Sequence, residues 1–251
     1  MVIAGRRPSL EAVRAGTALE VLVAVEARST PALRELVEAA GVAGVPVRRV
    51  TTDTLESLVP DTVHQGVVAR VRMPPVLSEA DLASRRWAED AVVVVLDGVT
   101  DPQNVGAVAR TAEAAGVAAL VVRRHRSGGR TVSALRASAG ALLHLPVASV
   151  PNITRAVDRL KEAGFWVVGL DAAATRTLDQ ASPPEGRFAI VLGSEGEGLS
   201  RLVRESCDEL LRIPMRGRVG SLNVSVAAGV GLFALASRGK GTGGGDEAGA
   251  R

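Results

Sequence analysis

The chain of 251 residues is poor in aromatic side chains, lysine and cysteine. Aromatic residues make up 2% of it and tyrosine is absent, which excludes a protein that stacks RNA bases on an aromatic-rich sheet. The single cysteine, Cys207, cannot form an intramolecular disulfide, and this is typical of a protein of the reducing cytoplasm. We expect Cys207 to fill a buried position rather than to act as a nucleophile.

Several functional patterns are also missing. The apolar run Ala91–Leu96 is far too short to span a bilayer, and the N-terminus shows no signal peptide, so we expect a cytoplasmic protein without a membrane partner. His64, His125 and His144 are not spaced as metal ligands, so we expect no metal. No glycine-rich loop ends in Gly-Lys-Ser/Thr. Asp97–Gly106 lacks the glycine triplet of a dinucleotide fold, which argues against a nicotinamide-linked oxidoreductase.

Arginine supplies nearly all of the positive charge, because Lys161 and Lys240 are the only lysines. The net charge is +3 and the sequence pI is about 9.9. Codon bias toward arginine would explain this, and so would phosphate binding by guanidinium groups. The densest basic stretches are either solvated loop charge or an RNA-binding surface, and we predict that they contact RNA: Arg6, Arg7, Arg123, Arg124, Arg126 and Arg130.

Two α/β segments flank a polar, proline-bearing stretch. The first segment, residues 1–72, has apolar runs that predict strands at Leu19–Val25, Val45–Val50 and Gly66–Val71, and helices at Pro31–Ala40 and Thr51–Leu58. Residues 73–90 are interpreted as a linker. The glycine-rich tail, residues 239–251, has no apolar periodicity and is predicted to be disordered.

The second segment, residues 91–238, repeats the order strand then helix. This pattern predicts an open parallel sheet with helices on both faces. The helix Ser221–Ser237 is apolar nearly all round, so we expect it to be buried or to lie at a subunit contact. The other predicted strands are Ala91–Asp97, Ala118–Val122, Pro146–Val150, Phe165–Leu170, Phe188–Leu192 and Leu210–Pro214, and the other helices are Asn104–Gly116, Val132–Ala139 and Ile153–Ala163.

Three polar clusters follow predicted strands, at the sheet edge where open α/β proteins bind ligands. In the first, Asp97–Thr111, Asn104 can cap or open the helix and Arg110 is long enough to reach back toward the loop. A plain strand–loop–helix joint with a surface arginine is the alternative. In the second, Leu192–Leu199, glycines let the backbone approach a ligand. The carboxylates of Glu195 and Glu197 suit a cationic or hydroxyl-bearing ligand, and the alternative is a flexible turn.

The third cluster, Arg212–Ala227, runs from a strand end through a basic glycine loop into the long apolar helix. Ser221 fits the N-cap position of that helix, which would be a purely structural role. Burial of Asn223 and Ser225 in so apolar a helix has a cost unless they are hydrogen-bonded. Asn223 is therefore the better candidate for a functional residue.

In this order, the three clusters resemble the signature motifs of the SpoU/TrmH RNA ribose methyltransferases. The matching segments are N-x-G-x-x-x-R-T at Asn104–Thr111, G-S-E-G-x-G at Gly193–Gly198 and I-P-M…S-L-N-V-S-V-A at Ile213–Ala227. HQGVVARV at His64–Val71 is similar to the end of that family's RNA-binding leader domain. The resemblance is greatest to the subgroup that methylates a guanosine of 23S ribosomal RNA.

The resemblance implies a small, ribosomal-protein-like α/β domain that binds RNA, followed by a parallel-sheet catalytic domain with a C-terminal trefoil knot. It also implies S-adenosylmethionine as cofactor and a homodimer formed through the last helix. The implied catalytic residues are Asn104, Arg110, Glu195, Ser221 and Asn223. The implied cofactor-binding residues are Leu192, Gly193, Ser194, Gly198, Ile213, Met215, Leu222 and Asn223.

Arg110 is a poor candidate for a general base, because a guanidinium is not deprotonated in proteins. We expect it to stabilise the developing alkoxide and to pair with an RNA phosphate that relays the proton. Two rival functions stay open. One is the same chemistry on a tRNA or on another ribosomal RNA site, and the other is a catalytically idle RNA-binding assembly factor.

Overall fold

The computed structural model describes residues 1–124, 131–182 and 184–236. Arg126 and Arg130, two of the predicted RNA-binding residues, and the predicted disordered tail lie outside these residues.

The N-terminal part forms a four-stranded sheet in the order β1-β4-β2-β3. Strand β2 runs parallel to β3 and antiparallel to β4, which also pairs with β1. Alternate residues of β2 and β4 pack into two different clusters of buried side chains, so the apolar runs that predict both strands are buried on both faces. The elements are β1 (Val2–Ala4), α1 (Arg6–Arg14), β2 (Ala18–Ala24), α2 (Pro31–Val42), β3 (Val47–Val50), α3 (Thr52–Leu58) and β4 (Val67–Val71).

The C-terminal part forms a seven-stranded sheet in which every pairing is parallel. The strand order is β11-β9-β10-β6-β7-β8-β5. The strands are β5 (Val76–Leu77), β6 (Val92–Leu96), β7 (Ala119–Arg123), β8 (Val147–Val150), β9 (Trp166–Leu170), β10 (Phe188–Leu192) and β11 (Glu209–Leu211). The helices are α4 (Glu79–Ser84), α5 (Pro102–Ala114), α6 (Val132–Ala137), α7 (Ile153–Glu162), α8 (Arg201–Ser206) and α9 (Val224–Ala236).

Helices cover both faces of this sheet, which confirms the prediction of a parallel α/β fold. All five residues of β6 and all five of β10 are buried, as the continuous apolar runs of a doubly covered sheet require. Helices α5 and α6 approach closely at Gly106, where a Cβ would lie 2.4 Å from the Ala134 carbonyl oxygen. The trefoil knot that the resemblance implies stays a prediction.

Some elements were not predicted from the sequence. Residues 73–90, interpreted as a linker, contain β5 and α4; β5 pairs with β8 at the edge of the large sheet. Helix α4 begins with a capping box in which the Ser78 hydroxyl and the Asp81 carboxylate each bond to the other's backbone N–H. Helix α1 was missed as well, because its N-cap is Gly5 and provides no side-chain signal.

The start of the last helix differs from its prediction. Helix α9 begins at Val224 rather than at Ser221, so Ser221 is not its N-cap. Asn223 caps the helix instead, because its Oδ1 accepts hydrogen bonds from the Ser225 N–H and hydroxyl at 3.0 and 2.6 Å. The expectation that Asn223 is buried is also wrong, since it is exposed. Asn104 does not cap α5 either: Asp101 does, accepting from the Gln103 N–H at 3.1 Å.

The two sheets share one apolar core. Leu10 and Val13 of α1 belong to the same cluster of buried side chains as Leu142 and Leu143, which follow α6. Gly140, with φ near +93°, lies against the Glu11 side chain, where a Cβ would be 3.2 Å away. In the described part of the chain, no helix has both the length and the apolar character needed to cross a membrane.

Candidate active site

The carboxyl ends of β6, β9, β10 and β11 meet at one edge of the large sheet, because parallel strands all end on the same side. The three clusters singled out in the sequence follow β6, β10 and β11. Parallel pairing of β10 with β6 brings the first two clusters together, and the loop after β11 returns toward them at α9. The sheet topology thus assembles segments that lie about a hundred residues apart.

A cavity of about 500 Å³ opens at this edge. Seven of the eight residues predicted to bind the cofactor line it, and Asn223, which lies at the start of α9, does not. Its walls combine glycine backbone with apolar side chains, as in many sites that bind a small organic ligand. The lining residues are Leu170, Asp171, Ala172, Leu192, Gly193, Ser194, Glu195, Gly196, Gly198, Arg212, Ile213, Met215, Gly220, Ser221, Leu222, Val224 and Ala227.

The glycine loop after β10 is folded tightly back on itself. Ser194 and Gly198 form an antiparallel bridge, with the Gly198 N–H donating to the Ser194 carbonyl at 3.0 Å. Gly196 and Gly198 have φ near +88° and +69°, a region that favours glycine. A Cβ on Gly193 would lie 2.1 Å from the Gly198 carbonyl carbon. Glycine at position 193 therefore allows the two ends of the loop to touch.

Asn104, Glu195 and Asn223 form one hydrogen-bonded cluster. The Asn104 Nδ2 donates to Glu195 Oε1 at 3.3 Å, and the Asn223 Nδ2 donates to Asn104 Oδ1 at 3.0 Å. Asn223 Nδ2 also donates to Glu195 Oε1. Each residue comes from a different sequence motif, so tertiary folding alone places their side chains in contact.

The other two predicted catalytic residues form no hydrogen bond with this cluster. Ser221 lines the cavity and is exposed. Arg110 lies on α5 six residues after Asn104, is exposed, and forms no hydrogen bond or ion pair with any described residue. The structure therefore brings together three of the five predicted catalytic residues.

Sequence reasoning missed the end of β9, which contributes Leu170, Asp171 and Ala172 to the cavity. Asp171 is buried, and its Oδ2 lies 2.7 Å from the Arg204 Nε of helix α8. Its Oδ1 accepts a hydrogen bond from the Ala173 N–H at 2.8 Å. An acidic residue directly after an apolar strand was the available signal, and Asp97 shows the same pattern after β6.

Asp97 forms hydrogen bonds with both ends of the glycine loop. Its carboxylate is buried and accepts a hydrogen bond from the Ser200 N–H at 2.7 Å. Its own N–H donates to the Leu192 carbonyl at 2.8 Å. The loop that contributes Gly193 and Glu195 is thus held at both ends by the residue that follows β6.

Cys207 lies outside the cavity and is half-buried, whereas a buried position is expected from the sequence. Burial raises its pKa to about 12, and the carboxylate of Asp208 adds to this shift. Its Sγ donates to the Val203 carbonyl at 3.2 Å. Among the described residues, no group of three or more His, Cys, Asp or Glu side chains is placed to hold a metal ion.

The predicted RNA-binding arginines differ in their exposure and in their hydrogen bonds within the protein. Arg6 is engaged within the protein, since its Nη1 donates to Thr30 Oγ1 at 2.5 Å and its Nε donates to the Gln65 carbonyl at 3.2 Å. Arg7 is exposed. Arg123 and Arg124 are exposed at the end of β7, on the same sheet edge as the cavity.

Comparison with known proteins places these features in a family. Residues 91–233 match the SpoU rRNA methylase family, and residues 2–77 match the RNA 2′-O ribose methyltransferase substrate-binding domain. The 23S rRNA (guanosine-2′-O-)-methyltransferase RlmB of Yersinia pestis is 44% identical over 216 residues, which cover 86% of this chain and 87% of the relative. A protein of Mycolicibacterium vanbaalenii described as an uncharacterized tRNA/rRNA methyltransferase is 40% identical over 238 residues, covering 94% and 76%.

A solved structure shows the same fold. The SpoU methyltransferase AviRb of Streptomyces viridochromogenes, in complex with the cofactor AdoMet, superimposes with a TM-score of 0.76 at 28% identity. The match covers 95% of this chain and 89% of that one.

Proposed function

Because the chain belongs to the SpoU rRNA methylase family, we propose that it transfers a methyl group from S-adenosylmethionine to the ribose 2′-hydroxyl of a guanosine in 23S ribosomal RNA. One observation carries this proposal: Asn104, Glu195 and Asn223 of the three motifs meet in one cluster, and Glu195 also lines the cavity. The Yersinia pestis relative, named for the same reaction, supports the choice of target.

The cavity fits this cofactor by its chemistry. Gly193 and Gly198 leave backbone groups accessible, and Leu192, Ile213 and Leu222 offer apolar surface for a nucleoside. The residues that would hold it are Leu192, Gly193, Ser194, Gly198, Ile213, Met215 and Leu222, which line the cavity. When bound, the cofactor supplies an electrophilic methyl group on a sulfonium sulfur.

The protein's contribution is mainly to orient the ribose. The 2′-oxygen must be aligned with the methyl carbon as the O–C bond forms and the S–C bond breaks, and alignment of this kind accelerates transfer strongly. Asn104 and Asn223 present amide groups whose orientation is fixed by Glu195. We assign Asn104 and Glu195 the role of holding the ribose, Asn223 that of orienting both, and Ser221 a place in the cavity wall.

Arg110 is proposed to stabilise the negative charge that develops on the 2′-oxygen. Its guanidinium forms no bond with any described residue and is exposed, so it is free to bind a substrate oxygen. The hydroxyl proton would pass to the neighbouring RNA phosphate, which Arg110 also holds. Charge stabilisation of this kind is worth most at a desolvated site.

RNA contact is proposed for Arg7, Arg123 and Arg124, which are exposed. Arg6 remains a candidate, although its bonds to Thr30 and Gln65 favour a structural role. We further propose that residues 1–72 form the substrate-binding domain and residues 91–238 the catalytic domain. A single cysteine and a ribosomal RNA target support the cytoplasm as the compartment.

Helix α9 is proposed as the contact of a homodimer. Its exposed residues Val226, Val230 and Phe233 are 50%, 40% and 54% accessible. They follow each other at intervals of four and three, so they lie on one face of the helix. An apolar helical stripe of this kind favours burial against a second copy.

The decisive experiment maps 2′-O-methylated nucleotides in ribosomal and transfer RNA from cells with the gene, without it, and with Asn223→Ala. We expect one guanosine of 23S rRNA to lose its methyl group without the gene and to regain it only with the intact protein. Loss of a methyl group from a tRNA instead would favour the alternative target, which the description of the Mycolicibacterium relative leaves open. No change in either RNA would favour an idle assembly factor.

A second assay tests the cofactor directly. We expect the purified protein to bind S-adenosylmethionine and not NAD when both are titrated by calorimetry. Binding of NAD alone would contradict the proposed reaction.

A further inference from the structure

The segment that joins β11 to α9 carries positive charge only. No aspartate or glutamate occurs between Leu210 and Ala236, whereas Arg212, Arg216 and Arg218 do. A stretch of this composition has no internal carboxylate that would neutralise its arginines.

The middle of this segment forms a tip at the rim of the cavity. Ile213 and Met215 line the cavity before the tip, and Gly220, Ser221 and Leu222 line it after the tip. The four residues between them, 216–219, do not line it and are all exposed. We call residues 216–219 the basic tip. Because the residues on both sides of the basic tip line the cavity, the basic tip itself projects outward at the cavity mouth.

The arginines of the basic tip are not used within the protein. Arg216 and Arg218 form no hydrogen bond or ion pair with any residue that the structure describes. Arg201 on α8, also exposed, pairs with Glu205 at 2.8 Å. The cavity carboxylates are occupied: Asp171 is paired with Arg204, and Glu195 accepts from two amides.

We propose that the basic tip binds the RNA phosphates on either side of the target ribose. This inference rests on the proposed function, because a ribose that reaches the cavity mouth brings its two adjoining phosphates with it. Guanidinium groups bind phosphate oxygens through paired N–H donors. The space beside Gly217 is open to an RNA strand, since no atom lies within 4 Å of the position that its Cβ would occupy. The basic tip would thus couple RNA docking to the wall of the cofactor cavity.

The test is the double variant Arg216→Gln/Arg218→Gln, titrated with an unmodified 23S rRNA transcript over a range of salt concentrations. We expect RNA affinity to fall about tenfold or more, and the slope of log K against log salt to shrink by about 1.5, as the loss of two phosphate contacts predicts. Affinity for S-adenosylmethionine, measured by calorimetry, should be unchanged. Arg216→Lys/Arg218→Lys should retain most of the salt slope.

The matched control is Arg159→Gln/Arg201→Gln, which removes two exposed arginines that lie on α7 and α8, outside the basic tip. If this control weakens RNA binding equally, or if the tip variant keeps the native slope, the inference is wrong. A tip variant that loses cofactor affinity or changes its molar mass also overturns it, because the arginines would then serve the cofactor or a subunit contact. Failure of the intact protein to bind S-adenosylmethionine at all would instead reject the proposed function.

Discussion

Glu195 accepts hydrogen bonds from two amide side chains through one carboxylate oxygen, and this fixes the orientation of both amides. The Nδ2 of Asn223 is committed to this contact, and its Oδ1 is committed to Ser225. Asn223 therefore has two roles, as helix cap and as partner of Glu195. At the scale of single residues, these two sets of hydrogen bonds explain why an asparagine is needed at the start of an apolar helix.

Arg110 provides the first prediction at this scale. Arg110→Ala should lower kcat about 100-fold, because the charge that stabilises the developing alkoxide is lost. Arg110→Lys should recover much of this rate if charge alone matters and little if the planar fork is required. Single-turnover methylation assays measure both. Full activity of Arg110→Ala would contradict any catalytic role. As a control for folding, both Arg110 variants should keep the melting temperature of the native protein.

Cys207 should be chemically silent in the folded protein. Since its pKa is raised from the ordinary 9.0 to about 12, only about one thiol in ten thousand is ionised at pH 8. We expect a thiol reagent to react fast after denaturation and very slowly before it. The unfolded thiol ionises first as pH rises above 9.0, so the contribution of Cys207 to stability is lost between pH 9 and 12. Cys207→Ala should show a flatter decline, and rapid labelling at pH 8 would contradict the assignment.

At the scale of elements, the glycine loop after β10 depends on close backbone contact. A Cβ at position 193 would lie 2.1 Å from Gly198, so Gly193→Ala must displace the loop. We expect affinity for S-adenosylmethionine to fall at least about tenfold, measured by calorimetry. Gly220 lines the same cavity, but no atom lies within 4 Å of the position that its Cβ would occupy. Gly220→Ala is therefore the matched control. Equal affinities for both variants would show that the loop does not shape the site.

Helix α9 carries the prediction about assembly. Val226→Glu and Val230→Glu place charge on its exposed apolar face and should convert a dimer into monomers, as measured by light scattering. Because both side chains are exposed, the substitutions should not unfold the monomer. Val42→Glu, at an 88% exposed position at the end of α2, is the control and should leave the mass unchanged. A dimer that persists in both α9 variants would exclude this face as the interface.

On the scale of the whole molecule, the shared core predicts cooperative unfolding. Buried side chains of α1 and of the region after α6 form part of one cluster, so neither sheet keeps its full core alone. We expect a single thermal transition by calorimetry, coincident with the change in far-UV circular dichroism. Two separated transitions would show that the parts built on the two sheets unfold independently.

The hydrophobic pattern and the sequence motifs determined the buried strands and most of the cavity-lining residues of this protein. The runs at Val92–Leu96 and Phe188–Leu192 are continuously apolar, and only a strand covered on both faces accommodates such a pattern. Seven of eight predicted cofactor residues line the cavity because the motifs follow strand ends, where backbone geometry fixes the site. Short or weakly patterned elements were missed, among them β5 and α4.

Only the tertiary structure decided which side chains meet. Spacing along the chain does not encode the contact of Glu195 with Asn104 and Asn223, because it arises from strand order and from the return of α9 to the sheet edge. The same holds for Asp171, which reaches the cavity because β9 lies between β10 and β11. The local hydrophobic pattern determines each helix and strand, because it decides which of their faces can be buried. A site made of loops depends instead on how the helices and strands pack together.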